Sequence, residues 1–491
     1  MGLGITRRRL LALTAGTLVA RVAHAAGPEK ADFPPLRPDN FPPQPKPPYV
    51  KMIEEARLDG KTSFCVIDTA SGEVIESHKG AQGLPPASVI KTVTALYAMD
   101  VLGGDHQFET RVLGTGYLDG GVLQGDLILV GGGDPELTTD HLGNLTEDLM
   151  ALGVTGITGK LLVWGGAVEA QHHIDKHQPL HVAYNPPISG VMLNRNRVRF
   201  EWKKKSGSYI LTMDARSGRY NADLETAQIS SVKEATSVYA YEMREGVDHW
   251  TVAEAALGKG GARWLPTRQP LAYAGEVFRA VAKQNGLTLP EAEIVEALPA
   301  DSFLMSSHKS KPLSKILADM LRYSYNLTAE AVGMAASAKR LRRSVSLADS
   351  ADELNRWVRE TYGVSGIDLV DHSGLSDRSR IVSSDLARLM AHDQSRNTLV
   401  PLIRKKAVKT RSGVVEKWVK TGTLHYGSGL AGYLAVPGGR LLSFAVFSVD
   451  FDRRKRADLI GSERPPGAKS WAQRARYLQN RLIERWAGLK A

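Results

Sequence analysis

The strongest constraint on the fold is a change of texture along the chain. From about Thr110 to Ala300, short apolar runs such as Leu127-Ile128-Leu129-Val130 and Leu161-Leu162-Val163-Trp164 alternate with glycine-rich turns, the pattern of a strand-rich region. On either side the periodicity is helical. A helix is expected from Val89 to about Leu102, started by the break Leu84-Pro85-Pro86-Ala87-Ser88 and stopped by Gly103-Gly104. From Lys311 onward, Leu313, Ile316, Leu317, Met320 and Leu321 follow the i, i+3, i+4, i+7, i+8 spacing of one buried helix face, and a second helix is expected from near Leu327 to about Leu341. Helical stretches thus bracket a β-rich insertion with room for two nested subdomains. One helix-like segment, Leu142 to Leu152, interrupts its strands.

Strands are also expected near both ends of the chain. Ser63 to Ile67 and Glu73 to Glu76 form a hairpin around Asp68-Thr69-Ala70-Ser71-Gly72. Val414 to Leu424, Leu430 to Val436 and Leu441 to Val449 read as a meander turning at Pro437-Gly438-Gly439. A basic amphipathic helix, Trp471 to Leu489, closes the chain. Gly131-Gly132-Gly133-Asp134-Pro135 lacks the Gly-Lys-Ser/Thr ending of a phosphate loop and reads as a turn.

The first 26 residues carry a basic start (Arg7-Arg8-Arg9), an apolar run from Leu10 to Ala20 and the small-x-small site Ala23-His24-Ala25. This is a cleaved secretory signal, of a form compatible with the twin-arginine route, and it implies an exported, periplasmic protein. Arg21 interrupts the apolar run and leaves it too short to span a membrane. A proline-rich lead-in, Pro34 to Pro48, follows. The net charge of +11 falls by four when the arginines of the signal are removed, leaving a basic excess suited to an anionic partner such as the cell wall. No nucleic-acid motif accompanies that charge, so nucleic acid is not expected as a partner. Cys65 is the sole cysteine, which excludes an intrachain disulfide and a cysteine metal cluster; in Ser63-Phe64-Cys65-Val66-Ile67 it reads as a buried apolar residue.

Three short polar clusters carry the chemistry. Ser88-Val89-Ile90-Lys91 begins a helix, so the i, i+3 spacing puts Lys91 one turn from Ser88, within reach of its hydroxyl. A serine needs an adjacent base to become a nucleophile, and a desolvated lysine can be that base. The tetrad recurs at Ser230–Lys233 and Ser306–Lys309, so alone it says little. Ser324-Tyr325-Asn326 falls between two helices, where polar side chains can project into a cleft; Ser-x-Asn recurs at Ser395–Asn397. Lys420-Thr421-Gly422-Thr423 lies on an expected strand, where Gly422 marks close approach of another backbone or a ligand and Lys420 projects from the same face. That lysine can bind a carboxylate and bias a nearby lysine toward neutrality.

In this order, on helix start, inter-helix loop and strand, the clusters resemble the Ser-x-x-Lys, Ser-x-Asn, Lys-Thr-Gly signature of penicillin-binding proteins and serine β-lactamases. Ser88 and Ser324 are 236 residues apart, and Ser324 and Lys420 are 96 apart. So large a first gap is similar to that of DacB-type D-alanyl-D-alanine carboxypeptidase/endopeptidases, the class C low-molecular-mass penicillin-binding proteins. Leu129 to Pro135, Tyr184-Asn185-Pro186-Pro187-Ile188-Ser189, Asp371-His372-Ser373-Gly374-Leu375-Ser376 and Leu430-Ala431-Gly432-Tyr433 are also similar to that family. Tyr325 stands where the family often has Asp.

The resemblance implies an α/β fold: a penicillin-binding-protein/β-lactamase-like transpeptidase domain, an antiparallel sheet flanked by helices, built from residues 27–110 and 300–491, with the β-rich insertion at 111–299. It implies hydrolysis of D-Ala-D-Ala stem peptides, and of the D-amino-acid cross-link, without a cofactor, and covalent capture of β-lactams. Carried over residue by residue, Ser88 is the nucleophile, Lys91 its base and Ser324 the proton relay to the leaving amine. Asn326 holds the substrate amide, and Lys420, Thr421, Gly422 and Thr423 form the substrate-binding strand, with the Ser88 and Thr423 N–H groups as oxyanion hole.

Competing readings are weighed against this. A serine β-lactamase or esterase would share Ser88, Lys91 and Lys420 but would rarely carry so large an insertion, and a catalytically silent wall-binding protein would not need all three clusters intact. His173, His177 and His181, with His172 beside them, have a spacing that could present metal ligands on a helix, but Pro179 argues for an exposed loop. Asp371-His372-Ser373 invites a triad reading on adjacency alone. The closing helix, with Trp471, Leu478, Leu482 and Trp486 on one side, packs on the meander or touches a membrane surface.

Overall fold

A computed structural model describes residues 48–410, 413–460, 463 and 465–488. The signal and most of the proline-rich lead-in lie outside them. Six antiparallel strands make the central sheet, in the order Val74–His78, Lys61–Asp68, Leu441–Val449, Gly427–Ala435, Gly413–Leu424, Lys405–Thr410. The first two strands, joined by the expected hairpin, therefore dock against the last strand of the meander, from Lys61 opposite Val449 to Asp68 opposite Leu442.

Both faces of this sheet are covered, and the two-residue period of the strands divides their side chains between two cores. On the strand Leu441–Val449, Phe444 and Val446 point to one side and Ala445, Phe447 and Val449 to the other. Leu430 and Leu434 alternate in the same way with Ala431 and Tyr433. The Ala445–Phe447 face meets helices Lys91–Leu102, Leu313–Tyr323, Asn326–Leu341 and Leu347–Tyr362, whose Val93, Tyr97, Ile316, Val332 and Trp357 are buried together. The opposite face meets the closing helix, which runs over Ala468–Ala487. Its Trp486 is fully buried and lies edge-on to Phe64 at 5.7 Å and tilted to Phe444 at 5.3 Å. Leu478, Leu482 and Trp486 are thus consumed inside the fold, and Trp471 is buried beside Tyr426. No described helix is long and apolar enough to cross a membrane.

Strands between Glu109 and Lys309 form sheets of their own. The largest has five strands in the order Ala292–Val295, Leu161–Trp164, Leu127–Val130, Glu109–Gly114, Phe303–Lys309, the first three mutually parallel. Parallel neighbours need crossovers, and these correct the expectation of a single helix in the region. The expected helix occupies Thr139–Ala151, and a second occupies Pro270–Gln284. Tyr273, Ala274, Val277, Phe278, Val281 and Ala282 are its buried stripe at helical spacing, which the aromatic and β-branched content disguises as strand. Gly275 sits on that stripe because a Cβ there would meet the Val163 side chain at 2.9 Å, so the helix can lie close on the sheet.

Truncating Trp486 to Ala removes the largest side chain between the closing helix and the sheet. A loss of about 3–5 kcal/mol in unfolding free energy is expected by chemical denaturation. A loss under about 1 kcal/mol would mean that this helix is not part of the cooperative core.

Candidate active site

The nucleophile candidate sits on a turn rather than inside a regular helix. Ala87 has a left-handed φ of 50°, residues Ala87–Ile90 form a tight 3-10 turn, and α-helix begins only at Lys91. The expected start at Val89 is thus two residues early. A backbone held in this region is costly for alanine and persists only where its surroundings enforce it. Here they do so through glycine. Gly422 and Gly429 face each other on neighbouring strands, and a Cβ on either would lie 2.7 Å from the Pro86 carbonyl oxygen. Gly374, with φ 73°, leaves room for the Ala87 carbonyl oxygen, with which a Cβ would collide. Together these residues form a notch that receives the turn and presents Ser88 to a cavity of about 670 Å³. Ser324, Asn326 and Thr423 line the same cavity.

Lys91 is fully buried; its Nζ donates to Asn326 Oδ1 at 2.8 Å and the Ser373 carbonyl at 2.6 Å and lies 2.9 Å from Ser88 Oγ. The orientation of the Asn326 amide follows from its other end, where Nδ2 donates at 2.9 Å to the Tyr184 carbonyl, a group that can only accept. Burial, then the charge of Lys420, holds the Lys91 amine well below the usual lysine range, opposed by Glu330 and Asp371. A neutral amine has two N–H donors and one lone pair. The Asn326 and Ser373 oxygens take the two donors, so the lone pair is left for the Ser88 hydroxyl. The arrangement can accept a proton from Ser88.

The second lysine is organised around the inter-helix loop. Ser324 caps helix Leu313–Tyr323 in the left-handed conformation, φ 61°, before helix Asn326–Leu341 begins. This sharp turn sends its hydroxyl to Lys420 Nζ at 2.9 Å. Lys420 and Gly422 share the buried face of their strand, while Thr421 and Thr423 are exposed on the other. Burial lowers the Lys420 amine to about 8. The structure therefore brings two hydrogen-bonded groups, Ser88–Lys91–Asn326 and Ser324–Lys420, to one cavity, with Gly422 against the Ser88 turn and Thr423 at the cavity wall.

Two acidic residues lie behind Lys91: Glu330, which was not among the sequence candidates, and Asp371, which was weighed only as a triad member. Glu330 is completely buried and accepts from the His372 N–H at 2.9 Å; burial, then Asp371, pushes its carboxyl up to about 8. Asp371 is buried too, and its carboxylate accepts from the N–H groups of Gly374 and Ser376, both at 2.8 Å. The available signal was spacing, since Glu330 lies four residues after Asn326 and so on the same helix face.

The competing features resolve differently. His372 is buried, its Nε2 lies 2.7 Å from Ser350 Oγ, and burial lowers it to about 3. Asp371 points to backbone amides and the Ser373 carbonyl to Lys91, so these three residues are no triad. The segment holding His172, His173, His177 and His181 is not helical, and His181 pairs with Glu463 at 2.6 Å. Asp134, His141 and His308 do come together, but His141 Nδ1 already accepts the Thr138 N–H at 3.2 Å in a helix cap. Cys65 is buried, as expected.

A family model described as D-Ala-D-Ala carboxypeptidase 3 (S13) matches residues 50–461. The chain belongs to that peptidase family. It is 27% identical over 432 residues to the D-alanyl-D-alanine carboxypeptidase of Actinomadura sp. strain R39, covering 79% of this chain and 78% of that one. It is 23% identical over 437 residues to the D-alanyl-D-alanine carboxypeptidase DacB of Haemophilus influenzae, covering 82% and 89%. The crystal structure of penicillin-binding protein 4 (dacB) from Haemophilus influenzae superposes with a TM-score of 0.70 at 20% identity, over 89% of this chain and all of that one. The expected fold class is thereby shown.

Because Gly422 leaves room for the nucleophile turn, Gly422→Val is expected to displace Ser88 from the strand. Reaction of Ser88 with a fluorescent penicillin should slow on the order of 10²-fold, the usual cost of about 1 Å of misplacement, while the protein stays folded. A wild-type rate in this variant would show that the notch does not set the position of Ser88.

Proposed function

We propose that this chain hydrolyses the terminal D-Ala-D-Ala bond of peptidoglycan stem peptides, and the D-amino-acid cross-link between them, through an acyl-enzyme on Ser88. The reading rests above all on the Lys91 amine, which is buried, 2.9 Å from Ser88 Oγ, and saturated by acceptors on its other sides. In this scheme Ser88 Oγ attacks the carbonyl of the penultimate D-alanine as its proton passes to Lys91. The Ser88 and Thr423 N–H groups hold the oxyanion. The C–N bond then breaks, and the leaving amine takes the proton that Lys91 received, relayed by Ser324, which Lys420 holds at 2.9 Å, so Lys91 is neutral again. Lys420 and Thr423 receive the terminal carboxylate, and Asn326 the substrate amide. Water releases the acyl group with Lys91 again as base. A β-lactam would acylate Ser88 by the same attack. Such a substrate places the protein outside the cytoplasm, in keeping with the signal read in its first 26 residues.

Wild-type protein is expected to form a long-lived adduct with fluorescent penicillin and to release D-alanine from a D-Ala-D-Ala peptide, and Ser88→Ala to do neither. Rapid turnover of the adduct would point instead to a β-lactamase, and absence of labelling in the wild type to a silent wall-binding protein.

The two lysines predict opposite limbs in the pH profile. Lys91 must be neutral to act as base, so kcat/KM rises as its proton is lost. Lys420 must be charged to bind a carboxylate, and it loses that charge as pH rises through about 8. Hydrolysis of a carboxylate-ended peptide should therefore fall above about pH 8. Lys420→Arg, which stays charged, should lack that limb at whatever rate it retains. A wild-type profile flat from about pH 7 to 10 would rule out the role given to Lys420.

A further inference from the structure

The insertion touches the catalytic loop at a residue for which the chemistry above has no use. The guanidinium of Arg195 lies 3.8 Å over the ring of Tyr325, the residue between Ser324 and Asn326, and that ring packs in turn on Tyr323 at 5.5 Å. A cation over an aromatic face is an attractive contact whose strength grows as water is excluded. Little else holds this guanidinium. Its Nε is buried without a hydrogen-bond partner, and its ion pair with Glu136 is long, at 3.7 Å.

Arg195 reaches Tyr325 from an unusual piece of backbone. Asn194, Arg195 and Asn196 are all left-handed, with φ of 51°, 60° and 53°. Residues other than glycine visit this region one at a time, so three in succession are strained. The two asparagines supply what enforces it. Asn194 Nδ2 donates to Thr139 Oγ1 at 2.9 Å and to the Tyr273 hydroxyl at 3.0 Å, and Asn196 Nδ2 donates to the Pro187 carbonyl at 2.9 Å. The residue between them is thereby thrust toward the catalytic loop.

We propose that Arg195 is a positioning residue for the catalytic loop: its guanidinium, clamped by the strained Asn194-Arg195-Asn196 turn, holds the Tyr325 ring so that Ser324 meets Lys420 and Asn326 meets Lys91. The proposal rests on the acyl-enzyme reading. It also gives a physical meaning to a tyrosine at the middle position of the motif. Arg195 does not line the cavity that holds Ser88, so the effect falls on the chemical step rather than on binding.

The test is a double-mutant cycle on the full-length mature protein, reading the acylation rate constant and the apparent affinity for a fluorescent penicillin separately, with kcat and KM for a D-Ala-D-Ala peptide. Arg195→Ala and Tyr325→Ala should each slow acylation about three- to thirty-fold, the range of a cation–π contact, with affinity and KM changed less than about twofold. The double variant should be no slower than the slower single one, and Arg195→Lys, which keeps a cation over the ring, should recover most of the rate. Thermal unfolding of each variant separates this from a loss of folded protein. Wild-type acylation in Arg195→Ala, multiplicative losses in the double variant, or a rise in KM with kcat unchanged would each overturn the proposal while leaving the Ser88 mechanism standing. A wild type that neither labels nor releases D-alanine would remove both.

Discussion

A primary amine enclosed entirely by protein is the constraint around which the rest of this structure is arranged. Removing a charged ammonium from water is expensive, and a lysine so placed either loses its proton or is surrounded by acceptors and opposite charge. Lys91 has both remedies within reach: fixed oxygens of Asn326 and Ser373, and the buried carboxyls of Glu330 and Asp371 behind them. The acceptors come from two separate stretches of chain, so the amine is satisfied only once the helix Asn326–Leu341 and the loop around Asp371 have closed over it. The same closure leaves Ser88 as its remaining partner. Folding and the placing of the Lys91 amine against Ser88 are in this sense one event.

Backbone conformation does comparable work on the other side of Ser88. Among the left-handed residues other than glycine, Ala87 and Ser324 are at or next to groups that the proposed chemistry uses, and Asn194 to Asn196 stand beside the loop that carries two of them. Such residues are paid for by neighbours that leave no alternative. For Ala87 the neighbours are Gly422 and Gly429, whose missing side chains open a slot in the sheet, and Gly374 in the loop beside it; for Ser324 it is the junction of two packed helices. A sheet covered on both faces is stiff enough to hold a slot of this kind, because its strands have apolar cores to lose on either side.

The insertion is more than an appendage to this site. Its Tyr184 carbonyl orients the Asn326 amide, and its Arg195 stacks on Tyr325, so two successive residues of the inter-helix loop are each held from outside their own helices. Both contacts come from loops on either side of Asn185-Pro186-Pro187-Ile188-Ser189, where Asn185 in turn binds the backbone at Ile174 and Asp175. Loops pinned in this way position side chains with the precision of regular elements.

The chemistry-bearing residues were legible because they recur as three short patterns in a fixed order on elements whose periodicity is plain, and because the strands of the meander alternate cleanly between two buried faces. The helix Pro270–Gln284 was not legible, since its aromatic and β-branched stripe mimics strand until the groove it fills is known. Nothing in the local sequence separates Glu330 from other helical glutamates or Arg195 from the other arginines of the chain. The order of the three clusters along the chain singled out Ser88, Lys91 and Lys420 as candidates and pointed to acyl transfer, because those readings depend on residue type and on neighbours along the chain. Tertiary structure alone decided which way the Lys91 lone pair points and what holds the Ser324-Tyr325-Asn326 loop. Those outcomes depend on acceptors and rings more than a hundred residues away, and no one-dimensional pattern records which of them will meet.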